Sequence, residues 1–478
     1  MADPIRLDHL APLVGGHLLG DGATIVTDVT HDSQTVREGS LFAAVRGFRT
    51  DGHKFVDGAM KAGATAVCVE DASAVPAGQA AIVVPSVRDV LGRLAAAVHG
   101  NPSSSLRLVG ITGTNGKTTV SHIIESIAAT AGIQQAIIGT VGARINGKPF
   151  SIERTTPEAT DFQRLLAAMV RFRVDVAAVE VSSHALALGR VGGTKFELGG
   201  FTNLSQDHLD FHADLEEYYA AKRSLFDQCG TGVIWVDDPA GRRMASEMTI
   251  PIVRVGTGTD VDVRGVPVEM TLEGSTFDAT GPGGGARIQL RLPGRFNISN
   301  ALVAGACANT LGIPWDTIAD GIGRVASIPG RFEIVATTRD CTVVVDYAHT
   351  PAGIESIVRA ARELAAGGRV IAVAGAAGDR DRDKRPLMGI AAATADVAVI
   401  TSDNPRSEDP GTIVSEMAVG AGPDAVVVVD RREAIGVAVE MAGPGDIVLI
   451  LGKGHERSQE IAGEFVPLDD RQVVREQT

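Results

Sequence analysis

The stretch Arg107-Leu-Val-Gly-Ile-Thr-Gly-Thr-Asn-Gly-Lys-Thr-Thr119 decides how the rest of the chain is read. Leu106, Leu108, Val109 and Ile111 give it the pattern of a short buried strand. Gly113, Thr114, Asn115 and Gly116 then make a turn. Lys117-Thr118-Thr119 opens a segment in which Val120, Ile123, Ile124 and Ile127 recur at helical spacing. Strand, glycine turn and helix start, in that order, form a phosphate cradle. Backbone N–H groups converge there, the helix N-terminus is partly positive, and glycine lets the backbone approach an anion closely. In such a loop Lys117 reaches the β- and γ-phosphates of a nucleotide and the Thr118 hydroxyl sits on Mg²⁺. The longer form of the motif has glycine where Ile111 stands, so this is the shorter G-x-x-G-K-T. A bare glycine–lysine turn can also be a structural loop. The strand before it and the helix after it favour the nucleotide.

On the N-terminal side, residues 1–101 alternate short strands with helices: strands over 40–46, 66–70 and 81–85, helices over 55–62 and 87–98. Asp28-Val-Thr-His-Asp-Ser33 reads as a strand running into a polar loop, and Gly100-Asn-Pro-Ser-Ser-Ser105 as a linker. The first domain is expected to end there. On the C-terminal side the strand–helix pattern repeats, with strands over 135–140, 174–181, 200–204 and 233–237, as in a doubly wound sheet. Between about 252 and 293 alternation along 261–268 and 286–292 predicts antiparallel hairpins around the turn 281–285, followed by a helix over 298–311. A third unit begins near Ile328-Pro-Gly-Arg331, with strands over 341–346, 369–374, 397–401, 426–429 and 447–451 alternating with helices. The expected fold is therefore α/β with three domains, 1–101, 102–328 and 329–478. The central one carries a P-loop-type sheet with an antiparallel subdomain, and the last is Rossmann-like. In open sheets of this kind ligands bind beyond the carboxyl ends of the strands.

The bulk properties narrow the class. A chain of 478 residues holds roughly two to four domains. A formal charge of −14 disfavours nucleic acid and acidic membranes as partners, so any polyphosphate site must be a local cluster of Lys, Arg and metal. Cys68, Cys229, Cys307 and Cys341 are far apart in sequence, fit no C-x-x-C pattern and read as buried thiols of a reducing cytosol. No apolar run approaches the ~20 residues a membrane helix needs, and the first residues lack a basic-then-apolar signal. A cytoplasmic protein is expected.

Several residues beyond the loop point to chemistry. Glu180 ends the apolar run Val176-Ala-Ala-Val-Glu180, where a carboxylate suits Mg²⁺ beside phosphate oxygens; a structural acid would look the same. The run from Phe201 to His212 places Asp207, His208, Asp210 and His212 past another strand, either as ligands or as an ordinary polar loop. In Asp214-Leu-Glu-Glu-Tyr-Tyr-Ala-Ala-Lys-Arg-Ser-Leu-Phe226, Leu215, Tyr218, Tyr219, Leu225 and Phe226 form one stripe, and Lys222 falls on it. An inward lysine needs a partner or a task, unless it snorkels. Arg380 lies in a loop of alternating charge, and Arg406 follows Pro405, which poses it. The planar fork of arginine suits carboxylates.

The ordered set of motifs resembles the Mur ligases, the ATP-dependent amino-acid-adding enzymes of peptidoglycan synthesis. It comprises Asp32-Ser33 with Leu41-Phe42-Ala43, the glycine loop, Thr155-Thr-Pro157, Glu180-Val-Ser-Ser-His184, Asn203–His208 and Ala220-Ala-Lys222. It continues through Gly294–Asn300, Gly330-Arg-Phe-Glu333, Asp346–Pro351, Gly378-Asp-Arg-Asp, Asp403-Asn-Pro-Arg406 and Gly452-Lys-Gly-His-Glu456. The resemblance is greatest to the member that adds the third residue of the stem peptide. It implies a UDP-binding N-terminal domain, a central ATPase and a C-terminal amino-acid domain. The implied substrates are a UDP-muramyl dipeptide and a diamino acid. No nucleic acid partner and no membrane insertion are implied, and the chain is expected to be a monomer. It implies ATP with Mg²⁺ at Thr118, Glu180 and His208, and a CO₂-derived carbamate on Lys222. By the same resemblance Lys117, Glu180, His208 and Lys222 are catalytic. Gly113, Thr114, Asn115, Gly116, Lys117, Thr118, Thr119, Asn300, Arg331 and Asp346 hold ATP. Ser33, Thr155, Thr156, Ser182 and Arg190 hold the UDP substrate. Arg380, Asp403, Asn404, Arg406, Gly452 and Glu456 hold the amino acid, and arginine at 406 favours one with a second carboxylate. Leu188, Gln206, Ala377 and Ser402 depart from residues frequent in the family and bear on fine substrate contacts. Two rivals remain at this level: folylpolyglutamate synthetase, which shares the loop and the lysine, and a non-catalytic nucleotide-binding scaffold.

Overall fold

A computed structural model describes residues 4–47, 50–365 and 367–477. Three principal sheets organise it. The N-terminal sheet has five strands in the order His17–Leu19, Ala80–Val83, Ala66–Val69, Ser40–Ala43, Asp28–Thr30, parallel except at its first pairing. The helix Val87–Val98 begins where the sequence places it: Ser86 caps it by accepting from the Asp89 N–H, and Val87, Val90, Leu91 and Leu94 face the core. The expected linker is a short 3₁₀ turn, Pro102–Ser105, entered through Asn101 in a left-handed conformation.

The central sheet has eleven strands. Arg107–Thr112 lies inside it, hydrogen-bonded in parallel to Val176–Glu180 on one side and Phe196–Phe201 on the other. Its apolar residues bury on both faces, which is why the sequence reads as continuous hydrophobic runs. One face packs against the helices Lys117–Thr130, Arg295–Thr310 and Trp315–Gly323; the other packs against Phe162, Leu166 and Tyr219 among others. The antiparallel segment holds three strands, Val263–Thr271, Gly274–Gly281 and Gly284–Leu290. It continues the central sheet through Ile252–Gly256. The middle strand is absent from the sequence reading because Gly274-Ser-Thr-Phe-Asp-Ala-Thr-Gly281 is polar, with glycine at both ends. The strand expected over 200–204 runs instead from Phe196 to Phe201, so that Thr202, Asn203 and Leu204 form the loop after it.

The C-terminal sheet runs Glu333–Val335, Thr342–Asp346, Ile447–Leu451, Val370–Ala376, Val397–Ser402, Val426–Val427, with only the first pairing antiparallel. A hairpin, Ser458–Ile461 with Glu464–Pro467, and a helix, Asp470–Gln477, follow it. The strand ends Asp346, Leu451, Ala376 and Ser402 all lead into the loops that carry the unusual residues. Among the described residues no helix is long and apolar enough to cross a membrane. Cys68, Cys229, Cys307 and Cys341 are all buried and free.

Candidate active site

Because the three adjacent strands Val176–Glu180, Arg107–Thr112 and Phe196–Phe201 are parallel, their carboxyl ends deliver Glu180, the glycine loop and Asn203 to one place. Asn203 Oδ1 accepts the Asn115 N–H at 2.9 Å, and Thr202 Oγ1 donates to the Asn115 carbonyl at 2.6 Å, so the loop is held from the neighbouring strand end. Gly116 is left-handed at φ 90°, and a side chain there would collide with Asn300. Lys117 folds back over the loop and donates to the carbonyls of Gly113 and Thr114 at 2.9 and 2.8 Å. Lys117 is half-buried on the cavity wall, and burial lowers its pKa, with Arg331 adding to the effect against the pull of Glu180 and Asp207.

Glu180 is entirely buried. Its carboxylate accepts from Thr118 Oγ1 at 3.0 Å and from the N–H and hydroxyl of Thr140 at 3.0 and 2.9 Å. Thr118 also accepts from Arg331 Nη2 at 3.0 Å, which joins the glycine loop to the C-terminal unit. Arg331 stacks on Tyr347, 4.6 Å from the ring centre. Asp346 accepts the N–H groups of Phe332 and Ala348 at 2.6 and 2.7 Å; burial pushes its pKa up against the pull of Arg331. These groups surround a cavity of about 440 Å³. Its walls include Thr114, Lys117, Glu180, Asn300, Arg331 and Asp346, and Phe296 and Ile357 supply an apolar end.

Lys222 is buried beneath the same loop, as its place on the inward stripe requires, although Leu215 at the start of that stripe is exposed. Its amine donates to the Gly113 carbonyl at 2.9 Å and lies 4.1 Å from the centre of the Tyr218 ring. Burial and the nearby Lys117 hold its pKa well below the usual lysine value. His208 adopts φ 56° and packs edge-on against His184 at 4.6 Å; burial pushes its pKa down to about 2, leaving a neutral imidazole. Thr118 touches Glu180, while His208 sits with Asp207. Among the described residues no group of three or more His, Cys, Asp or Glu side chains is arranged to hold a metal ion by itself.

The structure adds partners that the sequence did not reveal. Asp207, nearly buried, faces Lys384 Nζ at 3.3 Å, His208 Nε2 at 3.4 Å and His349 Nε2 at 3.6 Å. Two of those three partners come from the C-terminal unit, so no local pattern in the sequence could reveal the cluster. Thr140 lies just past a strand end and carries no motif.

Thr155 Oγ1 lies 3.2 Å from Thr140 Oγ1. Thr156 Oγ1 donates to the Glu180 carbonyl at 2.7 Å and accepts the Ser182 N–H at 3.2 Å. Ser182 caps the helix Ser183–Ala187, and Arg190 pairs with Glu158 at 3.0 Å. Ser33 lies in the N-terminal unit, two residues from His31, whose ring bonds Thr160 Oγ1 at 2.8 Å across to the central unit. In the C-terminal unit, Asn404 Nδ2 donates to Glu456 Oε2 at 2.9 Å, and Lys453 Nζ bridges Asn404 Oδ1 and Glu456 Oε2, both at 2.9 Å. Burial pushes the Asp403 carboxyl up against the pull of Arg431 and Lys453. Gly452, at φ 112°, brings its Cα so close to Asp403 Oδ2 that any side chain would collide. Arg380 lies 3.6 Å from Asp210. Arg406 does not pair with Glu408 or Asp409, its neighbours in sequence. Its Nε donates to Glu460 at 3.3 Å and Nη1 to the Gly378 carbonyl at 2.7 Å, while Glu408 belongs to the buried Arg385.

Comparison with known proteins finds one family along most of the chain. Residues 25–99 match a model of the Mur ligase family catalytic domain, residues 111–308 the Mur ligase middle domain, and residues 330–454 the Mur ligase glutamate ligase domain. A Streptomyces coelicolor protein named UDP-N-acetylmuramoyl-L-alanyl-D-glutamate–2,6-diaminopimelate ligase is 45% identical over 95% of this chain and 93% of its own. One of the same name from Geobacillus thermodenitrificans is 44% identical over 93% of each. A solved structure of a ligase of that name superposes with a TM-score of 0.69 at 31% identity, covering 99% of this chain and 98% of the other. With similarity of that degree along almost its entire length, the chain belongs to the Mur ligase family.

Proposed function

We propose that this protein is the ATP-dependent ligase that joins meso-diaminopimelate to UDP-N-acetylmuramoyl-L-alanyl-D-glutamate in peptidoglycan synthesis. The observation that carries the reading is the cavity walled by the glycine loop, Glu180, Asn300, Arg331 and Asp346. Its size and mixed lining suit a nucleotide with its phosphates on the loop. In the reaction the D-glutamyl carboxylate attacks the γ-phosphorus of ATP, breaking its bond to the bridging oxygen and releasing ADP. The amine of the diamino acid then attacks the acyl carbon of the resulting acyl phosphate, and phosphate leaves as the amine loses its proton. Little covalent work falls to the protein, so positioning and charge dominate.

Lys117, on the loop, would exchange its carbonyl partners for phosphate oxygens. Thr118 Oγ1 and Glu180 Oε2, 3.0 Å apart on the cavity wall, are the hydroxyl and carboxylate that would hold Mg²⁺ beside phosphate. When bound there, Mg²⁺ neutralises the charge on the transferring phosphoryl group. The neutral imidazole of His208 is suited to a second ion. Lys222, its pKa held well below the usual lysine value by burial, would take up CO₂ as a carbamate with loss of one proton. Ser33, Thr155, Thr156, Ser182 and Arg190 are assigned to the UDP substrate. Arg380, Asp403, Asn404, Arg406, Gly452 and Glu456 are assigned to the amino acid. These groups come from three units of one chain, 1–101, 102–328 and 329–478, which fits a monomer working in the cytoplasm on polar substrates.

The test is mass spectrometry of the product formed from the UDP-dipeptide and ATP with meso-diaminopimelate, L-lysine and L-ornithine in competition. The meso-diaminopimelate tripeptide is expected to dominate. A lysine product in equal yield would refute the assignment of Arg406. Phosphate release without the UDP-dipeptide, or with folate in its place, would refute the ligase assignment.

A further inference from the structure

Arg406 is one of the few non-glycine residues with left-handed backbone, at φ 52°. Such a conformation costs roughly 1–3 kcal/mol and persists only where the surroundings over-determine it. Here the surroundings are the hairpin Ser458–Ile461 with Glu464–Pro467, more than fifty residues further along the chain. The Arg406 N–H donates to the Glu460 carbonyl at 2.9 Å, the Ala462 N–H donates to the Arg406 carbonyl at 2.6 Å, and Arg406 bridges to Ile461 in parallel fashion. The side chain is held by the same strand: Nε donates to Glu460 Oε2 at 3.3 Å, while Nη1 donates to Gly378 O at 2.7 Å. The hairpin is in turn tied to the neighbouring loop, because Glu460 N–H donates to Asn404 Oδ1 at 3.0 Å and Lys453 Nζ donates to Ser458 O at 2.7 Å. Arg406 and Glu460 are each about a quarter to a third exposed, so the pair forms part of the wall rather than the core.

From this geometry we infer that Glu460 is a positioning residue for Arg406, and that the hairpin thereby sets selectivity for an amino acid with a second carboxylate. The inference rests on the assignment of Arg406 to that carboxylate. A guanidinium recognises a carboxylate through a planar, two-pronged contact, which demands a fixed plane as well as a charge. Glu460 on Nε and the Gly378 carbonyl on Nη1 set that plane before substrate arrives, so less ordering remains to be done on binding. Without Glu460 the arginine keeps its charge and loses its orientation. L-lysine, lacking that carboxylate, makes no use of the oriented plane.

The experiment measures KM and kcat for meso-diaminopimelate and for L-lysine on the full-length wild type, Arg406→Ala, Glu460→Ala and Glu460→Gln. Glu460→Ala is expected to raise KM for meso-diaminopimelate roughly tenfold or more, as loss of a charge-assisted hydrogen bond does. Its KM for L-lysine and its kcat should stay within about twofold of wild type. Glu460→Gln, which still accepts from Nε, should recover a good part of the KM. A Glu460→Ala enzyme with KM at or below the wild-type value overturns the inference, as does an equal rise for both amino acids. If Glu460→Ala fails to fold, the glutamine variant decides: a KM as high as that of Arg406→Ala overturns the inference. Should Arg406→Ala itself retain full selectivity, the assignment of Arg406 fails and this inference with it. Failure at Glu460 alone leaves that assignment standing.

Discussion

Lys117 and Lys222 donate to the same oxygen, the Gly113 carbonyl, each at 2.9 Å. One comes from the loop itself and the other from a helix more than a hundred residues later. Burial lowers both pKa values, and repulsion by Lys117 adds to the fall at Lys222. A carbamate on Lys222 would turn that repulsion into attraction. Lys222→Ala is therefore expected to lose nearly all turnover while remaining folded, and a short added carboxylate should restore part of it. Activity should also fall when CO₂ and bicarbonate are stripped from wild-type enzyme. Electron density ending at a bare Lys222 amine in a crystal of turning-over enzyme would contradict the assignment.

Glu180 gathers three donors, from Thr118 and from the N–H and hydroxyl of Thr140. Glu180→Gln keeps the shape and removes the charge. Its turnover should drop by ~100-fold or more, with a raised Mg²⁺ requirement and an unchanged fold. Near-normal phosphate release by this variant at ordinary Mg²⁺ would take Glu180 out of the metal site.

Glu158 joins the units: Arg88 of the N-terminal helix Val87–Val98 meets it at 2.9 Å and Arg190 at 3.0 Å. Burial pushes its carboxyl up, but Arg190, Arg88, His31 and Arg154 together outweigh that and hold it below the ordinary 4.5. A depressed carboxyl stabilises the folded state above its unfolded pKa and stops doing so as pH falls through the folded value. Glu158→Gln should thus cost about 1.5–3 kcal/mol near neutrality. The gap from wild type should close as the pH drops below about 4.5, which denaturant titrations across that range would read directly. A gap independent of pH would show that Glu158 acts by shape alone.

Arg431 and Asp470 form a fully buried pair at 2.7 Å, and Arg431 also donates to the carbonyls of Leu451 and Ser402 at 3.0 and 3.3 Å. Those carbonyls end the strands that lead into Gly452 and Asp403. Asp470→Ala strands a buried cation and should destabilise the protein by about 3–5 kcal/mol. At temperatures where the variant stays folded, KM for the amino acid should rise more than KM for ATP. Equal changes in the two would detach this pair from the amino-acid pocket.

Much of this was legible in the chain because it is local. The glycine loop sits between a strand and a helix whose apolar periods are unambiguous, and both form as read, at Arg107–Thr112 and Lys117–Thr130. Lys222 could be recognised as buried because a helix carries its neighbours Tyr218 and Tyr219 to the same face, and all three are buried. The left-handed backbone of Arg406, by contrast, has no local signature: it is imposed by hydrogen bonds from a hairpin that is itself exposed and polar. Nor could charge pattern show that Lys384 and Arg385, within a run of alternating signs, are buried, one on Asp207 and the other on Glu408 and Glu416. Periodicity reports which face a side chain takes on its own element. Which carboxylate meets which cation depends on how elements distant in the chain pack, and the residues that settle it are 23 to 177 positions apart. The sequence by itself determined the sheet order's raw material, the phosphate loop and the inward lysine, since these follow from short-range periodicity and backbone geometry. Only the tertiary structure decided that Lys117 and Lys222 share one carbonyl, that Asp207 collects cations from two units, and that Glu460 holds Arg406, because each contact joins residues far apart in the chain and is selected by how separate elements pack, within a domain or between two.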